Sequence, residues 1–188
     1  MQQQLSNLKL SLPQGTKGFP CGIYQTRSVG KGVLVKHHWH DEVEILYFSG
    51  GQFRLEINME QFFIQSECLY FINPGELHSI ITEKSGSLGE DAVVFSPGIL
   101  SFDSYDAAQL RLIQPMQNGK IRFPRFLLPD HPAFAPIYSA FREVMQSFGP
   151  ACEDLSHCDG AVTDDLTNQL YIKSSLLRIL AVLSSHQL

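Results

Sequence analysis

Two histidines and a glutamate spaced His38-x-His40-x3-Glu44, with a third histidine returning at His78, form the cluster in this chain best suited to chemistry. Neutral imidazoles and a carboxylate are a donor set for a divalent transition metal such as zinc, nickel, manganese or iron, with positions left open for water or substrate. The same groups serve equally as the polar lining of a small-molecule pocket that holds no metal. Gly32 and Gly51 bracket the first three residues, and His78 closes the run Asn73-Pro74-Gly75-Glu76-Leu77-His78, 27 residues after Gly51. In a strand successive side chains alternate faces, so His38 and His40 point the same way and Glu44, four residues on, keeps that parity. His37 has the opposite parity and reads as an outward bystander. His78 opens a later strand just after a tight Pro-Gly turn, and in a rolled sheet that position faces the other three.

The elements that must position these groups are strands. Residues 23–28, 33–38, 42–48, 53–57, 61–64, 68–72, 79–82 and 92–95 are short runs rich in β-branched and aromatic residues. Turn residues separate them: Gly30 and Gly32, Ser49-Gly50-Gly51, Asn58, Ser66, Asn73-Pro74-Gly75 and Ser85-Gly86. Strands at such even spacing predict an antiparallel sandwich or barrel.

After Phe95 the texture changes. Ser96-Pro97-Gly98 punctuates, about thirty mixed residues follow, and then Phe134, Ile137, Tyr138, Phe141, Met145 and Phe148 recur at helical spacing before Gly149-Pro150. A loop is expected over 151–160. A second helix is marked by Val162, Leu166, Leu170, Leu177 and Leu180, with Ile172, Leu176, Ile179 and Leu183 widening its apolar face, and Asp164 and Asp165 suit its positive end. That face is wider than a single partner covers, so contact with a second copy is as good a reading as internal packing. The polar start, with Pro13, Gly15, Gly18 and Pro20, reads as an arm free to move.

Composition sets the bounds. The 188 residues, 44% hydrophobic and 11% aromatic, can bury a substantial core. Fourteen Lys and Arg against nineteen Asp and Glu give −5, without a basic run, so the chain carries no electrostatic footprint for nucleic acid. No stretch is long and apolar enough for a membrane span, and Met1-Gln2-Gln3-Gln4 is no signal peptide, which leaves a cytoplasmic location by default. Cys21, Cys68, Cys152 and Cys158 lack CxxC spacing and read as reduced thiols. Cys152, His157 and Cys158 could in principle hold a metal, but their irregular spacing reads better as a surface loop.

The pattern Gly32, His38, His40, Glu44, Gly51 resembles the first conserved motif of cupins, and Pro74, Gly75 and His78 resemble the core of the second. The second motif departs at its edges: Cys68 stands where a leading glycine would fall, Pro74 and Gly75 are adjacent, and Thr82 replaces the usual asparagine. A narrower resemblance runs through His38-Trp39-His40-Asp41-Glu42-Val43-Glu44-Ile45-Leu46-Tyr47-Phe48, Gly50-Gly51 and Leu69-Tyr70-Phe71-Ile72-Asn73-Pro74-Gly75-Glu76-Leu77-His78. It is to the N-terminal effector-binding domain of AraC-type transcriptional regulators.

That resemblance implies a mostly β protein with C-terminal α structure: a small cupin-like, double-stranded β-helix barrel followed by two long amphipathic helices. It divides the chain into an N-terminal arm (1–20), an effector-binding barrel (21–100) and a helical dimerisation region (101–188). It implies a small-molecule effector, a sugar among the candidates, held by His38, His40, Glu44 and His78 with walls from Tyr47, Phe53 and Tyr70. It also implies a homodimer, and DNA contact only through helix-turn-helix units outside this chain. No cofactor is required on this reading, although the same four residues could hold a metal. The rival reading is a metal-dependent cupin enzyme, a dioxygenase or sugar isomerase. It has no independent support, because no nucleophile motif, phosphate loop or second acid–base pair is present.

Overall fold

The computed structural model describes residues 8–10, 14–26, 30–86, 89–148, 157–161 and 163–188. All eight expected strands form: β1 (Cys21–Thr26), β2 (Gly32–His38), β3 (Val43–Phe48), β4 (Phe53–Ile57), β5 (Glu60–Ile64), β6 (Cys68–Ile72), β7 (His78–Thr82) and β8 (Glu90–Phe95). Two more follow, β9 (Phe126–Leu127) and β10 (His157–Ala161). They build two sheets, one ordered β10-β1-β8-β3-β6-β9 and the other β2-β7-β4-β5, with antiparallel pairing throughout.

Burial explains why the strands differ in texture. β3, β6 and β8 are buried at every position, because the larger sheet is covered on both faces. Along β3, Leu46 and Phe48 point into the barrel with Phe53, Leu55, Ile57 and Ile80 of the smaller sheet. Val43, Ile45 and Tyr47 point the other way, into a core shared with the helices. β4 instead alternates buried and half-exposed positions, since its outer face meets solvent. The β4–β5 hairpin turns on Asn58 and Met59, both at positive φ (50° and 71°), which matches the right-handed twist of the strands it joins.

Two long helices form where the periodicity places them. A π-turn, Gln109–Ile113, first runs on into a short helix, α1 (Gln114–Gln117). Then come α2 (Phe134–Ser147) and α3 (Leu166–Ser185). α2 buries Ile137, Phe141 and Val144, and α3 buries Ile172, Leu176, Ile179 and Leu183, in the same cluster as the outer face of the larger sheet. α3 begins at Leu166 rather than Val162, because the Asp165 carboxylate caps it by accepting from the Asn168 amide at 2.8 Å.

The helical turn at 109–117 is not legible as an apolar pattern: Gln109, Arg111, Gln114 and Gln117 interrupt it, and only Ile113 and Met116 among its apolar residues are deeply buried. The loop expected over 151–160 contains the start of β10, which extends the larger sheet by pairing with β1. β9 likewise docks on β6, so the sheet recruits strands from the region after residue 100. The Cys152, His157 and Cys158 reading lies outside the residues whose side chains are described. Before β1, the chain is packed rather than loose at several points: Phe19 and Gln14 are buried, and Lys9 forms a parallel bridge with Trp39. Among the described residues no helix is long and apolar enough to cross a membrane.

Candidate functional site

The four residues converge, but not by strand parity. β2 ends at His38 and lies in the smaller sheet, His40 sits just past it, and Glu44 is on β3 in the larger sheet. The chain crosses between sheets over residues 39–42, so Glu44 meets the histidines across the barrel rather than along one strand. His78, the first residue of β7, pairs directly with His38 and with Ile57. Ring centroids stand 4.3 Å apart for His38 and His78, 5.1 Å for His40 and His78, and 5.6 Å for His38 and His40.

Each imidazole is oriented by the backbone. His38 Nδ1 lies 2.9 Å from the Lys36 carbonyl, His40 Nδ1 3.1 Å from that of Glu42, and His78 Nδ1 2.9 Å from that of Glu76. A carbonyl only accepts, so each Nδ1 carries the proton and donates it, and each neutral ring is left with a bare Nε2. Glu44 Oε2 stands 3.2 Å from His40 Nε2 and 3.0 Å from His78 Nε2. The His78 contact is off the hydrogen-bond axis, and that nitrogen, deeply buried, has no hydrogen-bond partner among the described residues.

Three lone pairs and a carboxylate facing one another repel unless a proton or cation lies between them. The electrostatics follow. Burial acts to raise the Glu44 carboxyl, but its bond to His40 and the close approach of the His78 ring override that and hold the group well below the usual carboxylate range. Burial acts to lower His40, yet its bond to Glu44 raises it above the ordinary histidine value. His38 is lowered, first by burial and then by the neighbouring His78. The His40–Glu44 proton therefore stands where a divalent cation would. Donor atoms of His38, His40 and His78 lie within 4.8 Å of one another, and carbonyls that accept from the opposite ring nitrogen, as these do, fix metal-ligating histidines. The residues fit a metal: His38, His40 and His78 would hold it, with Glu44 beside them.

His38, His40 and Glu44 also form the polar end of a cavity of about 500 Å³, a size that suits a small ligand. Its walls are Tyr24, Leu34, Val35, Ala92 and Val94, with Leu10 and Gln14 contributed by the N-terminal segment and Glu90 and Thr26 on the β1/β8 side. The expected wall residues are placed differently. Tyr47 has the parity of Val43 and Ile45, so it faces the helices, where its ring lies 4.6 Å from Tyr138 and its hydroxyl donates to Glu67 at 2.7 Å. Phe53 and Tyr70 do point into the barrel but pack among Phe48, Phe62 and Phe126, away from the cavity lining. His37 is outward, against Glu56 and Ser79, as its parity requires.

Sequence reading missed Gln14, Tyr24 and Glu76. Tyr24 Oη donates to Gln14 Oε1, joining the N-terminal segment to the cavity wall. Leu10 donates to the Trp39 carbonyl at 2.9 Å and Trp39 to that of Leu8 at 3.0 Å, while Lys9 lies over the Trp39 ring and pairs with Asp41. The segment is thus pinned beside His38 and His40. Gly15 permits this path: at φ +78° its missing Cβ would lie 2.4 Å from the backbone nitrogen and oxygen of Cys21. Gly75 does similar service at φ +79°, where its amide donates to the His40 carbonyl at 2.8 Å and ties the second motif to the first.

Among solved structures the chain is similar to a predicted oxalate decarboxylase from Thermotoga maritima, with 23% identity over 40% of this chain and 64% of that one and a TM-score of 0.35. It is also similar to an RmlC-like cupin from Shewanella frigidimarina, 13% identical over 40% of this chain and 56% of that one (TM-score 0.29). A cupin protein from Bacteroides fragilis is 22% identical over 46% and 70% (TM-score 0.35). In the first two of these the match spans less than two thirds of the neighbour's length. No curated protein matches the chain. A family model described as AraC-like ligand binding domain matches residues 30–185, which takes in both histidine motifs, strands β2 to β10 and both long helices: the chain belongs to the family of AraC-like ligand-binding domains.

Proposed function

We propose that this chain is the effector-sensing part of an AraC-type transcription regulator, which binds a small polar molecule in the barrel and pairs with a second copy through α3. The observation that carries the reading is the cavity of about 500 Å³ with its polar end at His38, His40 and Glu44 and its wall completed by Leu10 and Gln14. A sugar-sized polyol suits it: hydroxyls meet imidazole and carboxylate at one end, and its apolar faces lie on Tyr24, Val35 and Val94. An effector can shift a regulator only through unequal affinity for two states. The N-terminal segment supplies one such difference, since it forms part of the wall and is itself bonded to Tyr24 and Trp39.

Dimerisation through α3 is supported by its surface. Leu166, Leu170 and Tyr171 are 70%, 60% and 61% exposed and lie on one side of the helix, opposite the face buried on α2. An apolar strip of that kind marks a contact. DNA binding would fall to a region outside this chain, which at −5 has no basic surface run of its own.

The histidine geometry favours a second reading of the same site, a metal-dependent cupin enzyme, because three Nδ1-anchored imidazoles converge and leave Nε2 as the atom each would offer a metal. A metal held there would supply Lewis acidity toward an oxygen-bearing ligand. A thermal-shift screen of sugars and organic acids, run with and without added divalent ions, separates the two. Stabilisation by a ligand that is recovered unchanged supports sensing, because binding to the folded state alone raises apparent stability. Metal-dependent conversion of the ligand would overturn it.

A further inference from the structure

We infer that Glu76, clamped by Arg125, is a positioning residue for His78: it sets which ring nitrogen is bare and where that nitrogen points. The inference rests in part on the metal-capable reading of the histidine cluster.

Glu76 acts through both of its ends. Its backbone carbonyl accepts the Nδ1 proton of His78 at 2.9 Å. Its carboxylate, in a side chain only 4% exposed, is gripped from the opposite direction: Oε2 accepts from Arg125 Nη1 at 2.7 Å and from the Asn73 amide at 2.8 Å, and Oε1 from Arg125 Nη2 at 2.6 Å. Arg122 adds a longer contact at 3.8 Å. Arg125 is itself fixed to β6, donating from Nη1 to the Phe71 carbonyl and accepting from the Phe71 amide, both at 3.0 Å. The Asn73 side chain bonds both backbone groups of Phe123. The turn that carries His78 is therefore bolted to residues 123–125, which come from outside the barrel motifs.

A buried bidentate pair can be purely structural, and two observations argue for more. The carbonyl that fixes the His78 tautomer and the carboxylate held by Arg125 belong to one residue, so displacement of one moves the other. The nitrogen on the far side of that ring, Nε2, is buried with no in-line hydrogen bond, which leaves the Glu76 carbonyl as the one aligned bond to the ring among the described contacts.

The test uses the full chain, chelator-treated and labelled with nitrogen-15, with proton–nitrogen spectra that report the protonated nitrogen of each histidine. Cobalt(II) titration by calorimetry gives a second readout. Glu76→Gln and Arg125→Gln are expected to move the His78 nitrogen signals while those of His37 and His131 stay put, and to weaken cobalt binding by roughly 10–100-fold, the usual effect of losing an outer-shell partner. Arg125→Lys, which keeps one charged donor, should recover part of both. Val144→Ala, in the helix core, is the control for general loosening. Unmoved His78 signals with cobalt affinity within about twofold of wild type would overturn the inference, as would an equal His78 shift in Val144→Ala. If wild type binds no cobalt yet Glu76→Gln still moves His78, the metal reading fails and the positioning role stands. If Glu76→Gln does not fold, Arg125→Lys against wild type carries the same comparison.

Discussion

His38 and His78 sit directly opposite each other on the β2–β7 ladder, with ring centroids 4.3 Å apart and planes tilted at 57°, and each donates its Nδ1 proton to the carbonyl two residues before it. Two cationic rings at that distance would repel, and burial and the neighbouring ring keep His38 below its ordinary value. The pair is built to present bare nitrogens, which is what a cation or a hydroxyl-bearing ligand requires.

Metal uptake is the first consequence. Calorimetric titration of chelator-treated protein with zinc, nickel or manganese is expected to show one site per chain. His38→Ala or His40→Ala should weaken it by more than the roughly 10–100-fold that outer-shell losses cost, since each removes a direct ligand. A wild-type titration indistinguishable from that of the His38→Ala/His40→Ala double variant would rule the site out.

The N-terminal segment is the second. Gly15→Ala places a Cβ against the Cys21 backbone, which cannot yield as a flexible side chain would. Limited proteolysis is expected to cut this variant before Cys21 well ahead of wild type, with ligand release accelerated. Tyr24→Phe, which leaves the buried Gln14 amide oxygen without its donor, should cost about 1–3 kcal/mol in chemical denaturation.

The shared core behind the larger sheet gives a third. Phe141 is fully buried and its ring lies 6.0 Å from that of Tyr47, so Phe141→Ala is expected to destabilise the whole domain by about 3–5 kcal/mol in a single transition. Two separate denaturation transitions would show that barrel and helices are not one cooperative unit.

Self-association is testable on α3. Leu170→Arg alters an exposed position and should leave monomer stability within about 0.5 kcal/mol. Sedimentation is expected to show wild-type dimers and monomeric Leu170→Arg; equal masses would remove α3 as the contact.

Acid stability depends on Glu76. Burial acts to raise its carboxyl, but the bonds from Arg125 and Asn73 hold it below the usual glutamate value. A group lowered on folding stabilises fully above its unfolded value and loses that contribution as pH falls through the folded one. The stability of metal-free protein, measured by chemical denaturation, is therefore expected to fall below the ordinary glutamate range, and Glu76→Gln should lower the neutral-pH plateau and flatten that acid limb.

The eight barrel strands were legible because each is a short β-rich run closed by turn residues, and α2 because Ile137, Phe141 and Met145 repeat at its period. β9 was not, since a two-residue strand has no pattern of its own and exists only because β6 offers it an edge. Helix 109–117 was not, because polar residues interrupt its two deeply buried apolar positions, Ile113 and Met116. His38, His40, Glu44 and His78 were found from type and spacing. Tyr47 was misassigned because a continuous buried run such as Val43–Phe48 hides which alternate faces the barrel.

The sequence by itself determined the family, the eight barrel strands, the two long helices and the donor set, because turn chemistry, periodicity and residue type are local properties. Only the tertiary structure decided how the donors meet. Glu44 reaches the histidines from the other sheet, Gln14 and Leu10 fold back over the cavity, and Glu76 is held by Arg125 from 49 residues away. Those relations depend on sheet packing and register, which sum over the whole core, and no short window of residues encodes them.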